Sequence, residues 1–595
     1  MAKKKYIRSF LIWRYRHISD SQFKHILSVV VGLLSGLAAV SLKNITHIIQ
    51  EFLTRDFISE LRNTWYFVLP LIGLTTVFLI IKYLIKKPIF QGIPSTIYAI
   101  SKKKGFLSNY QAYASIITAP LTIGFGGSVG LESPTVATGA SWSSALSRAF
   151  HLDQKTRILL IGCAAAGAMA SLFKAPITAI VFAIEIFSLE LTTASLIPLL
   201  LASISAVLTS YFFFGNDVLF HVKLVSVFKL QDLGFYVVLG IVCALISIYF
   251  SKVHTQINNW FKPISSPLKR LFIGGSLLGL VIFFIPPLYG EGYETINSIL
   301  AGDTLDVIRE NFFGMEIGGF ASIVALLLGL IIFKVIAMGL TMGAGGIGGV
   351  FAPTLFTGSI TGYLVAYIVN SLGAFQNNLS ETSFAMVGMA GLVAGILQAP
   401  LTAIFLIAEI TEGYELFVPL MIVTTISYLI TKQYVPYNIY VAELAKKGQL
   451  ITHNRDNNAL LLMSTDQVIE QNFIEIKPDM FLGEMLENAV SKSNRNIFPV
   501  VNDQREFIGI VLLDDIRTIM FDASLHEKVR VSELMHAAPG IIIYEEDNMQ
   551  AIMQKFKTSG AWNLPVIKKG RYHGFISKSK LLSAYRTKLL QVSAS

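Results

Sequence analysis

The sequence predicts an all-α protein that crosses a membrane many times, followed by a small α/β region outside the membrane. Hydrophobic residue types make up 53% of the 595 residues and charged types only 14%, whereas soluble domains carry roughly 25% charged residues. Apolar stretches follow one another from about residue 26 to about residue 431, and many are near the roughly 20 residues that span a bilayer. After about residue 447 the chain becomes polar.

The first 25 residues are basic, with scattered aromatic side chains, and lack the apolar core and cleavage site of a signal peptide. They predict a cytoplasmic segment that lies on the membrane surface. The net charge of +10 comes from basic residues at the chain ends and in short loops, which the positive-inside rule explains without a nucleic-acid partner. We therefore expect a multi-pass protein of the cell membrane with both termini in the cytoplasm.

The membrane part repeats itself. Residues 175–186 (APITAIVFAIEI) and 399–410 (APLTAIFLIAEI) are identical at seven of twelve positions, at an offset of 224 residues. Residues 130–139 and 349–358 are identical at five of ten positions, at an offset of 219 residues. Duplicated halves with interrupted helices are typical of transporters, and their solute site lies where the halves meet.

Three glycine-rich segments precede probable helix starts: residues 92–95 (GIPS), 127–134 (GSVGLESP) and 345–353 (GGIGGVFAP). Proline is favoured in the first turn of a helix, where its missing N–H costs nothing. A helix start offers unpaired N–H groups and roughly half a positive charge, which suits an anion. Three such starts converging inside the membrane predict a site for a small anion.

These motifs resemble those of the CLC family of chloride channels and proton-coupled chloride transporters: Gly-x-Glu-x-Pro at 130–134, Gly-x-Phe-x-Pro at 349–353 and Gly-Ile-Pro at 92–94. The resemblance covers about residues 26–447. It implies about eighteen helices in two inverted halves, over about 26–215 and 235–447. It also implies a homodimer with one pore per subunit that transports chloride, requires no cofactor and is not an enzyme.

The resemblance also implies site residues. Glu132 matches a gating glutamate, a carboxylate that occupies the outer anion site and leaves when it is protonated or displaced by chloride. A carboxylate inside a membrane is a functional candidate by default. The implied anion-binding positions are Gln91, Gly92, Ile93, Gly130, Val350, Phe351 and Tyr440, with Tyr437 as the alternative to Tyr440.

The sequence departs from the family pattern beside the anion site. Gln91 stands where a serine usually contacts the anion; its amide can still donate a hydrogen bond, but selectivity among chloride, nitrate and fluoride stays open. Leu131 and Ser133 replace the commoner basic residue and glycine of the gating motif. The change at residue 131 removes a cation near the outer site.

A further departure concerns proton coupling. Exchangers of this family usually carry a proton-accepting glutamate at the position of Ile186, directly after Glu185. Isoleucine cannot carry a proton, so we expect a channel, with an H+/Cl− antiporter that uses a rerouted proton path as the alternative. Glu185 and its repeat counterpart Glu409 are expected to cap or pair at helix ends.

The polar tail is also duplicated. Residues 496–520 and 562–586 both contain Pro-Val-Val/Ile, a polar turn, a glycine-containing apolar strand and a helix. They resemble a pair of CBS domains, which we place at 466–522 and 530–590, joined to the membrane domain by a linker at 448–465.

CBS domains imply a possible adenine-nucleotide site. The candidate residues are Asp515, which the first copy retains for the ribose hydroxyls, Ser577, which the second copy retains, and Lys580, which stands in place of the second copy's aspartate and would lie near phosphate. Each copy keeps one polar element of the pattern and loses the other. This favours a structural role for the tail over nucleotide binding.

Two other classes compete with an anion transporter. A CBS-bearing divalent-cation transporter would need several oxygen ligands, usually carboxylates, and the membrane part contains few acids. A membrane enzyme would need a catalytic motif, but the ten histidines form no His-Glu-x-x-His spacing. The two cysteines, Cys163 and Cys243, lie in separate apolar stretches and supply neither a disulfide framework nor a metal site.

Overall fold

The computed structural model describes residues 12–54, 62–89, 92–216, 219–220, 228–302, 319–373, 378–411, 413–446, 460 and 463–593. Residues 1–11 of the predicted N-terminal segment, most of the predicted linker, and Gln91 lie outside the described residues. The chain divides into two compact units, Met1–Lys446 and Lys447–Ser595.

The regular elements among the described residues of the first unit are helices. Eight of the described helices are long and apolar enough to cross a bilayer by length and composition. The helices are α1 (Asp20–Thr54), α2 (Arg62–Leu79, continued by a π-helical turn over Ile80–Ile85), α3 (Gly92–Lys102), α4 (Tyr110–Gly124), α5 (Glu132–Ala149), α6 (Gln154–Phe173), α7 (Pro176–Phe187), α8 (Thr193–Phe214), α9 (Leu233–Phe261), α10 (Pro267–Phe284), α11 (Tyr293–Ala301), α12 (Phe320–Gly343), α13 (Phe351–Ser371), α14 (Glu381–Ile396), α15 (Pro400–Ile410), α16 (Phe417–Tyr434) and α17 (Ala442–Lys446).

The three predicted helix starts are confirmed. Helix α3 begins at Gly92, α5 at Glu132 and α13 at Phe351, each directly after or within a glycine-rich segment. The proline of each motif falls in the first turn, where a missing N–H breaks no helical hydrogen bond. Each glycine-rich segment therefore ends in a helix whose first N–H groups are open to other partners.

The duplicated segments meet at one point. Gly130 and Gly349 form an antiparallel bridge, in which each N–H donates to the carbonyl of the other at 2.9 and 2.7 Å. Two flanking contacts show the same reciprocity: Ser128 N–H donates to the Thr341 hydroxyl and Ile347 N–H to the Thr122 hydroxyl, both at 3.1 Å. The residues that take the same part in these contacts are 219 positions apart in each case: 128 and 347, 122 and 341, and 130 and 349. A local two-fold relation between inverted halves requires this correspondence.

The helices around this point are arranged in the same way in both halves. Helices α1, α6 and α8 pack against one another in the first half, and α9, α14 and α16 do so in the second. Their small residues permit close approach of helix backbones, which is how helices pack inside membranes. The two triangular clusters support the segments that carry the glycine motifs.

Glu185 and Glu409 cap each other's helix, as predicted for these residues. The Glu409 carboxylate accepts hydrogen bonds from the N–H groups of Ile177 and Thr178 at 2.9 and 2.7 Å. The Glu185 carboxylate accepts from Leu401 and Thr402 at 3.0 and 2.8 Å. Each carboxylate thus satisfies the open N–H groups at the start of the partner helix, α15 or α7, and favours its positive end.

The second unit contains two small sheets. One sheet has the strand order β1 (Ile469–Glu470), β6 (Arg571–Ser577), β5 (Asn563–Lys568), β4 (Ile542–Ile543), with β4 and β5 parallel and the other pairs antiparallel. The other sheet is the antiparallel pair β2 (Ile497–Val501) and β3 (Phe507–Leu512). The elements are α18 (Thr465–Val468), β1 (Ile469–Glu470), α19 (Leu482–Met485), β2 (Ile497–Val501), β3 (Phe507–Leu512), α20 (Leu513–Ile516), α21 (Val531–Leu534), β4 (Ile542–Ile543), α22 (Met549–Ser559), β5 (Asn563–Lys568), β6 (Arg571–Ser577) and α23 (Lys578–Ser593).

The predicted duplication of the tail is confirmed by its strand register. Val500 lies opposite Gly509 in the first copy, and Val566 lies opposite Gly574 in the second. The register shifts directly after Val500 and directly after Val566. The two copies also share a small core made of Phe473, Ile497, Val501, Ile510, Tyr572 and Phe575.

Replacing either capping glutamate should destabilise the membrane unit. We expect E185Q and E409Q each to cost about 1–3 kcal/mol of stability, since each loses charge-assisted hydrogen bonds at a helix start. Thermal unfolding of the purified protein in detergent measures the loss. The exposed Glu190 provides the control variant E190Q. If E185Q and E409Q both unfolded at the same temperature as E190Q, the capping role of these glutamates would be contradicted.

Candidate anion site and gate

Glu132 lies at the centre of the site. It is the first residue of α5 and is only 1% exposed. Its side chain folds back over Gly130, so closely that a Cβ atom on Gly130 would lie 2.1 Å from Glu132 Oε2. Only glycine at position 130 leaves room for the carboxylate in this place.

The Glu132 carboxylate reaches the start of α13 as well. The same Cβ position on Gly130 would lie 2.8 Å from the Cβ of Ala352, in the first turn of α13, and Val350 and Phe351 beside Ala352 are buried. The carboxylate therefore lies between the positive ends of α5 and α13. This is the place where the sequence predicted a bound anion, and a carboxylate group stands in it.

A third helix start is joined to the same place. Ile93 N–H, at the start of α3, donates to the Ser133 hydroxyl at 2.9 Å, and a Cβ on Gly92 would lie 2.0 Å from the Ser133 carbonyl oxygen. Ser133 is one of the two departures from the family's gating motif. Its hydroxyl thus links α3 to α5 and uses one N–H that a glycine at position 133 would leave open.

Tyr440 is buried at 4% exposure, and its hydroxyl has no hydrogen-bond partner within the part of the chain that the structure describes. Tyr437 is 45% exposed. The Tyr440 phenol interacts electrostatically with Glu132, so the two side chains face the same region. Because a buried hydroxyl without a partner is costly, an anion at this place would satisfy it, which favours Tyr440 over Tyr437.

Three residues that sequence reasoning missed complete the surroundings of Glu132. Tyr293, at the start of α11, donates its hydroxyl to Glu132 Oε1 at 2.6 Å. Glu291 accepts from Leu131 N–H at 3.0 Å. Lys334 is 0% exposed within α12. A lone lysine in an apolar helix and an acid between two glycines were visible signals, since ionisable residues in membrane helices are rarely without function.

The family follows from this site and from the sequence. The pattern of the voltage-gated chloride channel family matches residues 72–432, more than half of the chain. The chain belongs to the CLC family. CBS domain patterns match residues 465–522 and 531–587. The predicted fold class, an all-α polytopic membrane protein followed by a small α/β CBS tandem, is confirmed.

Known CLC proteins resemble this chain over most of the membrane domain. A putative chloride channel protein, ClcB-like, from Ralstonia nicotianae is 29% identical over 381 residues, which cover 62% of this chain and 82% of that protein. The H(+)/Cl(−) exchange transporter ClcA of Vibrio cholerae is 26% identical over 410 residues, which cover 67% of this chain and 83% of that protein.

A solved structure shares the fold. The crystal structure of a slow cyanobacterial Cl−/H+ antiporter matches with a TM-score of 0.61 at 22% identity, over 71% of this chain and 97% of that one. The chain is thus a membrane-embedded protein of the CLC family of anion channels and transporters. Its family consists of chloride channels and transporters rather than enzymes, and the family's chloride transport favours an anion transporter over a divalent-cation transporter.

The candidate nucleotide residues of the CBS tandem already have partners. The Ser577 hydroxyl donates to Glu470 Oε1 at 2.5 Å, and Lys580 Nζ donates to the Ile469 carbonyl at 3.1 Å. Asp515 accepts from Leu512 N–H at 2.9 Å, capping a short helix, and faces His536 at 3.5 Å. The structure brings Ser577 and Lys580 together around β1, and the contacts of Asp515 are with other residues.

Glu470 ties this part of the tandem together. Its carboxylate also pairs with Arg495 at 2.5 Å and is 11% exposed. Burial raises the pKa of Glu470, but hydrogen bonds from Ser577 and Arg495 and the charges of Arg495 and Lys580 outweigh burial and hold the pKa below its ordinary value. The carboxylate is therefore charged at neutral pH and occupies polar groups that a nucleotide would otherwise use.

Replacing Tyr440 should weaken anion binding. We expect Y440F to lower chloride affinity about five- to tenfold, since the loss of one hydrogen bond costs about 1–1.5 kcal/mol. Calorimetric titration of the purified protein with chloride measures the affinity. Y437F is the matched control and should bind chloride normally; an equal loss in both variants would argue against a specific role for Tyr440.

Replacing Glu470 should destabilise the CBS tandem in a pH-dependent way. We expect E470Q to cost about 1–2 kcal/mol at neutral pH. Because the native pKa is lowered, this stabilisation is present above about pH 5 and is lost as the pH falls through the lowered pKa. Hydrogen exchange of β6 amides in the full chain, compared with the wild type at each pH, measures it. A difference that persisted unchanged in acid would rule out the charge as its source.

Proposed function

We propose that the protein conducts chloride passively across the cell membrane through a CLC-type pathway gated by Glu132. One observation carries this proposal. The Glu132 carboxylate lies between the starts of α5 and α13, with Oε2 unpaired among the described residues. A group held by one hydrogen bond and by helix dipoles can be replaced by another anion.

Two events would free the site. A chloride ion competes with the carboxylate for the positive helix ends, or a proton neutralises Glu132 and removes its attraction to them. The N–H groups at the starts of α5 and α13 then face the anion, together with the Tyr440 hydroxyl. Binding by partial charges holds chloride without a full cation against it, so that the ion can also leave, as conduction requires.

The neighbourhood of Ile186 supports a channel over an exchanger. Ile186 is buried in α7 and offers no acid where exchangers carry one. The adjacent Glu185 carboxylate is occupied by the N–H groups of Leu401 and Thr402. An H+/Cl− antiporter with a rerouted proton path is the second candidate function, because the similar protein of Vibrio cholerae bears the name of an H(+)/Cl(−) exchange transporter.

The assembly and orientation follow the family resemblance in this proposal. We place both termini in the cytoplasm and pair two subunits into a homodimer, with one pathway in each. Exposed apolar side chains on α7 and α15, such as Ile177 and Leu401, are available for such a contact.

Control by an adenine nucleotide would require Ser577 and Lys580 to exchange their contacts with Glu470 and Ile469 for contacts with the ligand.

Flux measurements test the gate and the transport mode together. In liposomes, we expect wild-type chloride efflux to rise about tenfold or more as protonation releases Glu132, and we expect E132Q to give high efflux at every pH, since it imitates the protonated gate. A pH electrode outside the vesicles records proton movement at the same time. The exposed Glu190 again provides the control, E190Q.

The two candidate functions give different proton records. A channel moves chloride without coupled protons, whereas stoichiometric uphill proton pumping driven by a chloride gradient would replace the channel with the antiporter. An E132Q variant that kept the wild-type pH dependence would remove Glu132 from its role as gate in either case.

A further inference from the structure

The segment from Leu288 to Tyr293, here called the gate clamp, is fastened to the chain that leads into the gate. The Ser128 hydroxyl donates to the Leu288 carbonyl at 2.8 Å, and the Tyr289 hydroxyl donates to the Gly124 carbonyl at 2.6 Å. Glu291 accepts a further hydrogen bond from Leu131 N–H, and the Tyr293 hydroxyl donates one to Glu132. The gate clamp therefore follows the gating segment from the end of α4 to the start of α5.

Lys334 holds the gate clamp from the other side. Its Nζ donates to the Gly290 carbonyl at 3.0 Å and to the Leu288 carbonyl at 3.4 Å, and it lies 4.6 Å from the centre of the Phe356 ring. A buried ammonium group requires such partners and, for neutrality, a nearby anion. Both carbonyls belong to residues just before Glu291, whose carboxylate supplies the opposite charge.

The Glu291 carboxylate is a second acidic group beside the backbone that leads into Glu132. Its Oε1 accepts from the N–H of Leu131, the residue directly before Glu132. A nearby like charge disfavours ionisation of a carboxylate, whereas a nearby cation favours it. The titratable and charged groups that face Glu291 are Glu132 from α5, Tyr293 from α11, Lys334 from α12 and Lys43 from α1, and Tyr440 faces Glu132.

We propose that Glu291 and Lys334 set the pH at which the gate opens, Glu291 as the negative charge that promotes protonation of Glu132 and Lys334 as the positive charge that opposes it. Both act as positioning residues, since the gating carboxylate itself is Glu132. The inference rests on the proposed gating role of Glu132. It assigns a function to two ionisable residues that the anion site does not otherwise use.

Charge-neutralising variants test the proposal by the direction of a shift. Glutamine at position 291 keeps an oxygen for Leu131 N–H and removes the charge, so E291Q should move the pH of half-maximal chloride efflux about one unit toward acid. K334M should move it about one unit toward alkali. E291Q/K334M should return it close to the wild-type value. The readout is efflux from liposomes containing the full chain, between pH 4 and pH 8.

The control variant comes from the same part of the chain. Glu294 is exposed and lies three residues after Glu291, so E294Q should leave the pH of half-maximal efflux unchanged. E291Q efflux with the wild-type midpoint, or a midpoint moved toward alkali, would overturn the proposal. If E291Q fails to fold, K334M decides alone: a shift toward alkali supports the proposal, and no shift or an acid shift overturns it.

E132Q separates this inference from the function on which it rests. If E132Q loses its pH dependence while E291Q and K334M keep the wild-type pH of half-maximal efflux, Glu132 remains the gate and the gate clamp does not control it. Retained pH dependence in E132Q would instead remove the gating role, and the inference with it.

Discussion

The paired hydrogen bonds between Gly130 and Gly349 are the contact on which the anion site depends. A bilayer supplies no water to satisfy backbone groups, so irregular backbone at that depth must be covered by protein or line a wet cavity. Each glycine satisfies the N–H and carbonyl of the other. The two chain segments can therefore leave helical geometry together, and two helix starts face the same place. This exchange thus satisfies the backbone of both segments at the point where they leave helical geometry.

The duplication was readable from the sequence because it is written in local patterns. The repeated segments that contain Glu185 and Glu409, the proline-marked helix starts and the paired CBS strands all show themselves within a dozen residues. The physical role of Glu185 and Glu409 could also be predicted, since an acid near the end of an apolar helix needs donors and an inverted repeat supplies them from the partner helix start.

The surroundings of the gate could not be predicted in the same way. Tyr293 lies 161 residues from Glu132 along the chain, and no periodicity relates the two positions. Lys334 was conspicuous as a lone cation in an apolar helix, but its partners are backbone carbonyls, which carry no residue-specific signal. The choice between Tyr437 and Tyr440 required burial as well, because the two side chains differ in exposure rather than in chemistry. Contacts set by tertiary packing are hidden from pattern reasoning when only one partner is distinctive.

The hydrogen bonds around Glu132 fix its backbone more firmly than its side chain. The backbone before Glu132 is held by Gly349 at Gly130 and by Glu291 at Leu131, and Ser133 directly after it is bonded to Ile93. The start of α5 is therefore fixed on three sides, whereas the Glu132 side chain is held by the Tyr293 hydroxyl at one oxygen and leaves the other unpaired. In the proposed gating, opening therefore requires a side-chain rotation and the loss of few hydrogen bonds. The fixed backbone would keep the N–H groups in place for an incoming anion, so the proposed site would already be formed when the carboxylate leaves it.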